Sequence, residues 1–368
     1  MTVRVVLDAM GGDHAPRVPV EGALWALREI PELHVILVGQ EERIRAELAR
    51  HSPKGLSFSI VHASQVVEMH ERTIAVKTKR DSSMGVGMRL VRSGEAEAFV
   101  SMGNTGAVMA AALFHLGRIP GIDRPALATV YPTAHRPCLL LDIGANTDPQ
   151  PWHLLQFAIM GVVYAERVLG WPNPRVGILS NGEEPGKGSI RVQEAYRLLQ
   201  ESGLNFIGNV EGKDLSRGLA EVVVTDGFTG NVVIKHLEGT VSFLARFLKA
   251  QLTDGALDRL GLALALPGLI LAAPGLLCLL PSLRRVFQQL DYREYGGAPL
   301  LGVNGVVVIG HGRSDAKAVK NAIRMAVRAV REGMLERIRE GLESIPPARS
   351  PHGASVEGAR IQGQRQSC

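Results

Sequence analysis

The residue pattern with the most chemical content is a lysine held in a glycine-rich turn. Ser180-Asn181-Gly182-Glu183-Glu184-Pro185-Gly186-Lys187-Gly188 separates an apolar run of strand length from a segment of helical period. A cation beside open backbone N–H groups at a helix start suits an anion, and a solvated turn lysine is the plainer alternative. The turn is not a Walker A loop, because GEEPGKG has one residue too few between its glycines and Gly188 stands where a Mg²⁺-binding hydroxyl belongs. Gly85-Val86-Gly87 lacks the third glycine of a dinucleotide fingerprint, and no GxSxG elbow offers an acyl-serine nucleophile. Five other loops share the same vocabulary of Gly with Asn, Asp, Ser or Thr: Asp8–Asp13, Ser101–Gly106, Asp142–Asp148, Thr225–Asn231 and Gly310–Asp315. Glycine lets backbone approach a ligand, and small polar side chains cap helices or donate hydrogen bonds.

Each of these loops follows a strand-length apolar run. The runs are Val3–Leu7, His34–Val38, Ser57–Val61, Ala98–Ser101, Leu127–Tyr131, Cys138–Leu141, Arg175–Leu179, Asn205–Ile207, Glu221–Val224 and Val306–Ile309. Helix-period stretches lie between them, among them Glu41–Arg50, Thr105–Leu116, Leu154–Leu169, Ile190–Gln200 and Val232–Leu252. Strands that are apolar on both sides and alternate with helices indicate an α/β protein with a mostly parallel sheet covered on both faces. In such sheets ligands bind beyond the carboxyl ends of the strands, so the six loops are expected to converge on one site.

Composition excludes several classes. Hydrophobic residues are 46% of the 368-residue chain and charged residues 21%, which excludes a disordered chain. Aromatic residues are only 5%, too few for a stacking platform, so no nucleic-acid partner is expected. The net charge of +5 is local: Arg313–Cys368 holds 11 basic and 6 acidic residues, and the preceding 312 sum to zero. Cys138, Cys278 and Cys368 are far apart and the histidines lack HExxH spacing, so no disulfide framework or metal site is expected. With no signal-peptide pattern at Met1, a reducing cytoplasmic setting follows.

The chain reads as one α/β unit over 1–342, an apolar helical insertion over 254–286 and a disordered tail over 343–368 rich in Pro, Ser, Gly and Arg. Within the insertion, Leu260–Leu283 is 24 residues without a charge, with Pro267-Gly268, Pro274-Gly275 and Pro281-Ser282 seven apart. Interior prolines break a straight span. Three arrangements stay open: short helices lying in a bilayer surface, a hairpin packed against a partner subunit or the core, and a true span.

Several motifs together resemble one family. DAMGGDHAP at Asp8–Pro16, GNTGA at Gly103–Ala107, LDIGAN at Leu141–Asn146, HLLQFAIMG at His153–Gly161, TDGFTGN at Thr225–Asn231, EYGGAPLLG at Glu294–Gly302 and HGRSDAKAVKNAI at His311–Ile323 are similar to the phosphate acyltransferases of bacterial phospholipid synthesis, also called acyl-ACP–phosphate transacylases. The resemblance runs in order to about residue 340. Asn181 and Pro185 depart from the family's turn before Lys187, and Met102 replaces a smaller residue.

The resemblance implies a fold related to isopropylmalate dehydrogenase and phosphotransacetylase, a homodimer and peripheral membrane association. It implies acyl transfer from acyl carrier protein to inorganic phosphate, without a cofactor, giving acyl phosphate for a downstream glycerol-3-phosphate acyltransferase. On that basis Lys187 with Gly186 and Gly188 is expected to hold phosphate, oriented by Asn231 and Thr229. Asn104 or Asn146 would donate to the oxyanion, Asp8, Asp142 and Asp226 would shape their loops, and Gly11, Gly12, Thr105 and Gly106 would line the site. His311 is either a general acid toward the thiolate or a helix cap. Arg313, Lys317, Lys320, Arg324, Arg328 and Arg331 recur every three or four residues as a basic face for acidic acyl carrier protein or lipid headgroups. An NAD-dependent dehydrogenase of the related fold and a non-catalytic membrane scaffold that binds acyl carrier protein are the alternatives.

Overall fold

The computed structural model describes residues 2–134, 136–253 and 296–343, together with isolated positions between Leu264 and Leu280. The Leu260–Leu283 segment, apart from those positions, and the tail from Ser344 lie outside the described residues. Alternation of apolar side chains builds both faces of the sheet. On β1 (Val3–Asp8), Val3, Val5 and Leu7 enter one core cluster while Val6 enters another on the opposite face. Helices α1 (Arg17–Glu29) and α10 (Ala316–Arg331) cover the first face. Helices α4 (Ser83–Arg92) and α5 (Thr105–His115) cover the second. The remaining helices that matter here are α6 (Pro151–Tyr164), α7 (Ile190–Glu201), the single turn α8 (Gly212–Leu215) and the 27-residue α9 (Gly227–Thr253).

Eleven strands form one sheet in the order β3-β2-β1-β4-β11-β10-β5-β6-β9-β7-β8. One wing holds β2 (Leu33–Gly39), β3 (Phe58–His62), β4 (Ala98–Ser101) and β11 (Val306–Ile309), all parallel to β1. The other holds β6 (Cys138–Leu141), β7 (Val176–Ser180), β8 (Phe206–Glu211) and β9 (Val222–Val224), parallel among themselves. Between them stand β10 (Ala298–Leu301) and β5 (Ala126–Tyr131).

The sheet is mostly parallel, as expected, and its middle is the exception. The pairs β11–β10, β10–β5 and β5–β6 are all antiparallel, and an odd number of reversals makes the two wings run in opposite senses. The six loops therefore do not share one edge as they would in a purely parallel sheet.

Candidate active site

The loops gather in two groups. In the first, Asp8 ends β1 fully buried, and its carboxylate accepts from Ser101 Oγ at 2.7 Å and Met10 N at 3.1 Å. Ser101 Oγ in turn accepts from Gly103 N at 3.0 Å. This relay fixes the start of α5. Gly11 leaves it room, because a Cβ there would lie 2.8 Å from both Asp8 Oδ2 and Ser101 Oγ. Asn104 caps α5, its Oδ1 accepting from Ala107 N at 3.0 Å. Its amide hydrogens go to Met69 O at 2.7 Å and Glu71 O at 3.3 Å. Asp13 N donates to Gly312 O at 2.9 Å, which joins the Gly12 turn to the His311 turn. His311 is exposed and accepts from Arg313 N at 3.4 Å. The N–H groups of Thr105 and Gly106 make no hydrogen bond within the described residues.

In the second group Asp142 directly follows β6, completely buried. Its Oδ1 accepts from Leu127 N at 3.1 Å, Gly144 N at 3.1 Å and Ala145 N at 2.9 Å. Its Oδ2 accepts from Asn146 N at 2.6 Å and Asn146 Nδ2 at 2.9 Å. The Asn146 carbonyl receives Gly227 N at 2.7 Å, so this loop sets the first residue of α9. Asp226 caps that helix, accepting from Thr229 N and Thr229 Oγ1, both at 2.8 Å. The exposed Asn231 amide has no partner among the described residues, and it lies 3.7 Å from where a Gly144 Cβ would sit.

The Lys187 turn stands in this same wing. Gly188 N donates to Asn181 Oδ1 at 2.8 Å and Lys187 N to Glu184 O at 3.0 Å. Arg191 of α7 pairs with Asp148, which ties the turn to the Asp142 loop. The Lys187 ammonium is exposed and unpaired within the described residues, and Gly186 has open space around it. The wings also touch, since Ile143 and Ala145 pack against the cluster that holds Ala107, Val108 and Ala111 of α5.

Two expectations change. Both amide hydrogens of Asn104 and of Asn146 are committed to backbone or carboxylate oxygens, with Asn146 Nδ2 also on Pro125 O at 2.7 Å. Both residues position loops and have no hydrogen left for an oxyanion. Asp8, Asp142, Asp226 and Thr229 are likewise consumed internally. Donors without a partner among the described residues include Lys187 Nζ, the Asn231 amide, and backbone N–H groups at the starts of α5 and α9, Phe228 N included. Sequence reasoning missed Ser101 and the Arg191–Asp148 tie, and the spacing carries no signal for either.

The basic face is also redrawn. Arg313 lies ahead of the Asp315 cap and is not on α10. The other five share the less buried side, but Lys320 at 2.8 Å and Arg324 at 2.5 Å both grip Glu29 of α1, and Arg331 donates to Pro31 O. Much of that charge fastens α10 to α1.

Two variants test this architecture. A Cβ at Gly230 would overlap the Asp142 carbonyl oxygen, which is backbone and cannot turn aside. Gly230→Ala is expected to cost about 2 kcal/mol or more in chemical denaturation; a cost within about 0.5 kcal/mol would mean that α9 can shift freely. Burial pushes the Asp8 carboxyl above its ordinary range, against the pull of Ser83, Ser101, Met10 and Gly11. A carboxyl whose folded pKa exceeds its unfolded one binds its proton more readily when native, so its contribution to stability falls as pH rises from about 4 through the folded value. Urea midpoints of Asp8→Asn should fall less than those of wild type across that window, and parallel profiles would contradict it.

Comparisons with known proteins follow the same outline. A family model described as "Fatty acid synthesis protein" matches residues 3–337. A phosphate acyltransferase of Pelotomaculum thermopropionicum is 51% identical over 344 residues, covering 93% of this chain and 96% of the relative. One from Geobacter sulfurreducens is 47% identical over 343 residues, covering 93% and 95%. Among solved structures, a phosphotransacetylase from Streptococcus pyogenes superposes with a TM-score of 0.56 at 18% identity, covering 90% of this chain and 94% of that one, a likeness of fold.

Proposed function

Because the chain belongs to the fatty acid synthesis protein family and, within it, to the phosphate acyltransferases, it is an enzyme that moves an acyl group to phosphate, and we propose long-chain acyl-ACP as the donor. The product, acyl phosphate, would pass to a glycerol-3-phosphate acyltransferase in phospholipid synthesis. Family membership leaves the dehydrogenase and the non-catalytic scaffold without support.

The reaction asks little covalent chemistry of the protein. Phosphate dianion attacks the thioester carbonyl carbon, the C–O bond forms, and the oxyanion collapses with loss of the C–S electron pair as thiolate. A thiol pKa of about 8.5 makes that a competent leaving group near neutral pH. What remains is to hold an anion, orient it and donate to developing negative charge.

One observation carries the assignment: where Asp142, Asn146 and Asp226 have fixed the first turn of α9, Asn231 and Phe228 N are left as open donors, with Lys187 as an unpaired cation in the same wing. Lys187 is assigned to phosphate. The Asn231 amide and Phe228 N are assigned to the reacting oxygens. The first group, with its open Thr105 and Gly106 N–H groups and His311, is assigned to the thioester donor. Long-chain acyl-ACP mixed with phosphate should yield acyl phosphate by mass spectrometry. Turnover of acyl-CoA with no turnover of acyl-ACP would overturn the choice of donor.

Homodimerisation and membrane attachment belong to the same proposal. No described helix is long and apolar enough to cross a membrane. Helix α9 nevertheless exposes Val241, Phe243, Leu244 and Phe247, a cluster that calls for a cover. A second copy on α9 and a bilayer surface against Leu260–Leu283 would supply it. Leu269→Glu with Leu276→Glu is expected to release the protein from liposomes while turnover of soluble acyl-ACP stays within about threefold. Undiminished sedimentation with liposomes would assign the segment to protein contacts instead.

A further inference from the structure

Helix α5 carries no Asp, Glu, Lys or Arg, and from Gly106 to Phe114 every residue is apolar or glycine. A helix apolar on every side is expected to be buried all round. Here one side is: Ala107, Val108, Ala111 and Ala112 enter the core cluster of the second sheet face. At helical spacing the other side presents Gly106, Met109, Ala110 and Leu113, flanked by Phe114. Leu113 is 38% exposed and Phe114 58%.

The neighbouring chain has the same character. Among the described residues before α7, the large apolar side chains that are exposed are Met69, Ile74, Leu113 and Phe114. Two are on α5, and the other two are on the 69–74 segment, which packs against the start of that helix. Met69 O and Glu71 O accept from Asn104 Nδ2, and a Cβ on Gly106 would lie 3.1 Å from Thr73 Cγ2. A Cβ on Gly312 would lie 2.5 Å from Met69 Cε, so that side chain reaches the His311 turn. The apolar strip therefore begins among the first group of loops, at the Thr105 and Gly106 N–H groups, and runs away from them along α5.

We propose that this strip is the track for the acyl chain of the thioester, with the carbonyl at the Thr105–Gly106 end and Leu113 and Phe114 under the distal methylenes. The proposal rests on the assignment of the first group of loops to the thioester donor. Two features select a hydrocarbon chain over a protein partner. The strip is continuous at one end with backbone donors suited to an acyl oxygen. It is also one helix face wide and about 14 Å long at 1.5 Å per residue, far short of the roughly 20–30 residues a side of a stable protein interface. Its far end would then read chain length. A methylene chain advances less per carbon than a helix does per residue, so an octanoyl chain starting at Thr105 stops before Leu113, and a palmitoyl chain reaches it.

The test is chain-length selectivity of the full chain carrying Leu113→Glu or Phe114→Glu, both at exposed positions. Octanoyl and palmitoyl donors are compared, each as acyl-ACP and as acyl-CoA. The ratio of kcat/KM for palmitoyl to that for octanoyl is expected to fall about tenfold or more, because charge replaces the apolar contact of the distal methylenes alone. Leu113→Phe, which keeps the strip apolar, should hold the ratio within about threefold of wild type. An unaltered ratio in both glutamate variants would overturn the track, and a changed oligomeric state beside that unaltered ratio would assign the strip to contact between copies. Turnover of acyl-CoA with none of acyl-ACP would remove the proposed donor, and the palmitoyl-to-octanoyl ratio in the acyl-CoA series would still decide the track.

Discussion

Lys187→Ala is expected to lower activity at subsaturating phosphate by about tenfold or more, since a charge-assisted contact contributes about 1.5–3 kcal/mol. The loss should fall on the phosphate KM more than on kcat, because a cation that meets phosphate in both ground and transition states gives uniform binding. The circular dichroism spectrum should not change, because Lys187 is exposed and unpaired within the described residues. Lys187→Arg should recover part of the affinity, as charge is kept while geometry shifts. An unaltered phosphate dependence in the alanine variant would make Lys187 a bystander and move the anion elsewhere along the loops.

A second large effect is expected at Asn231. Removing one donor aimed at developing charge typically costs about 10²–10³ in kcat. Asn231→Ala should show a loss of that order with little change in the phosphate KM. The contrast with Lys187 separates a group that binds from a group that acts in the transition state. Asn104→Ala and Asn146→Ala should behave differently from both, because their amides already hold backbone. Those variants should lose thermal stability along with activity. Loss of stability at Asn231 in place of lost kcat would show that its amide is structural too.

The sequence made the class of fold plain. Apolar strand runs such as Val3–Leu7 and Val306–Ile309 stand where the sheet has β1 and β11, and the basic helix lies on its apolar Val319 and Ile323 side. The reversal in the middle of the sheet was not legible, because apolar periodicity carries no strand direction. Strand β10 was hidden as well: Gly296-Gly297 reads as a turn and Pro299 argues against a strand, yet Pro299 pairs with Val308 at a joint between wings. The site was legible as a set of loops and not as a division of labour. Asn104, Asn146 and Asn231 look equivalent in sequence, and only the fold shows that two amides are spent on Met69, Glu71, Pro125 and Asp142 while the third is open.

The central claim is that phosphate itself attacks the thioester, with the protein supplying anion binding and donors but no nucleophile of its own. The direct measurement is release of free thiol from long-chain acyl-ACP by a stoichiometric amount of enzyme, first without phosphate and then after its addition. Direct attack predicts no thiol release before phosphate arrives and no acyl group on the intact protein by mass spectrometry. A burst of one thiol per chain in the absence of phosphate, with an acyl adduct on the protein, would contradict it.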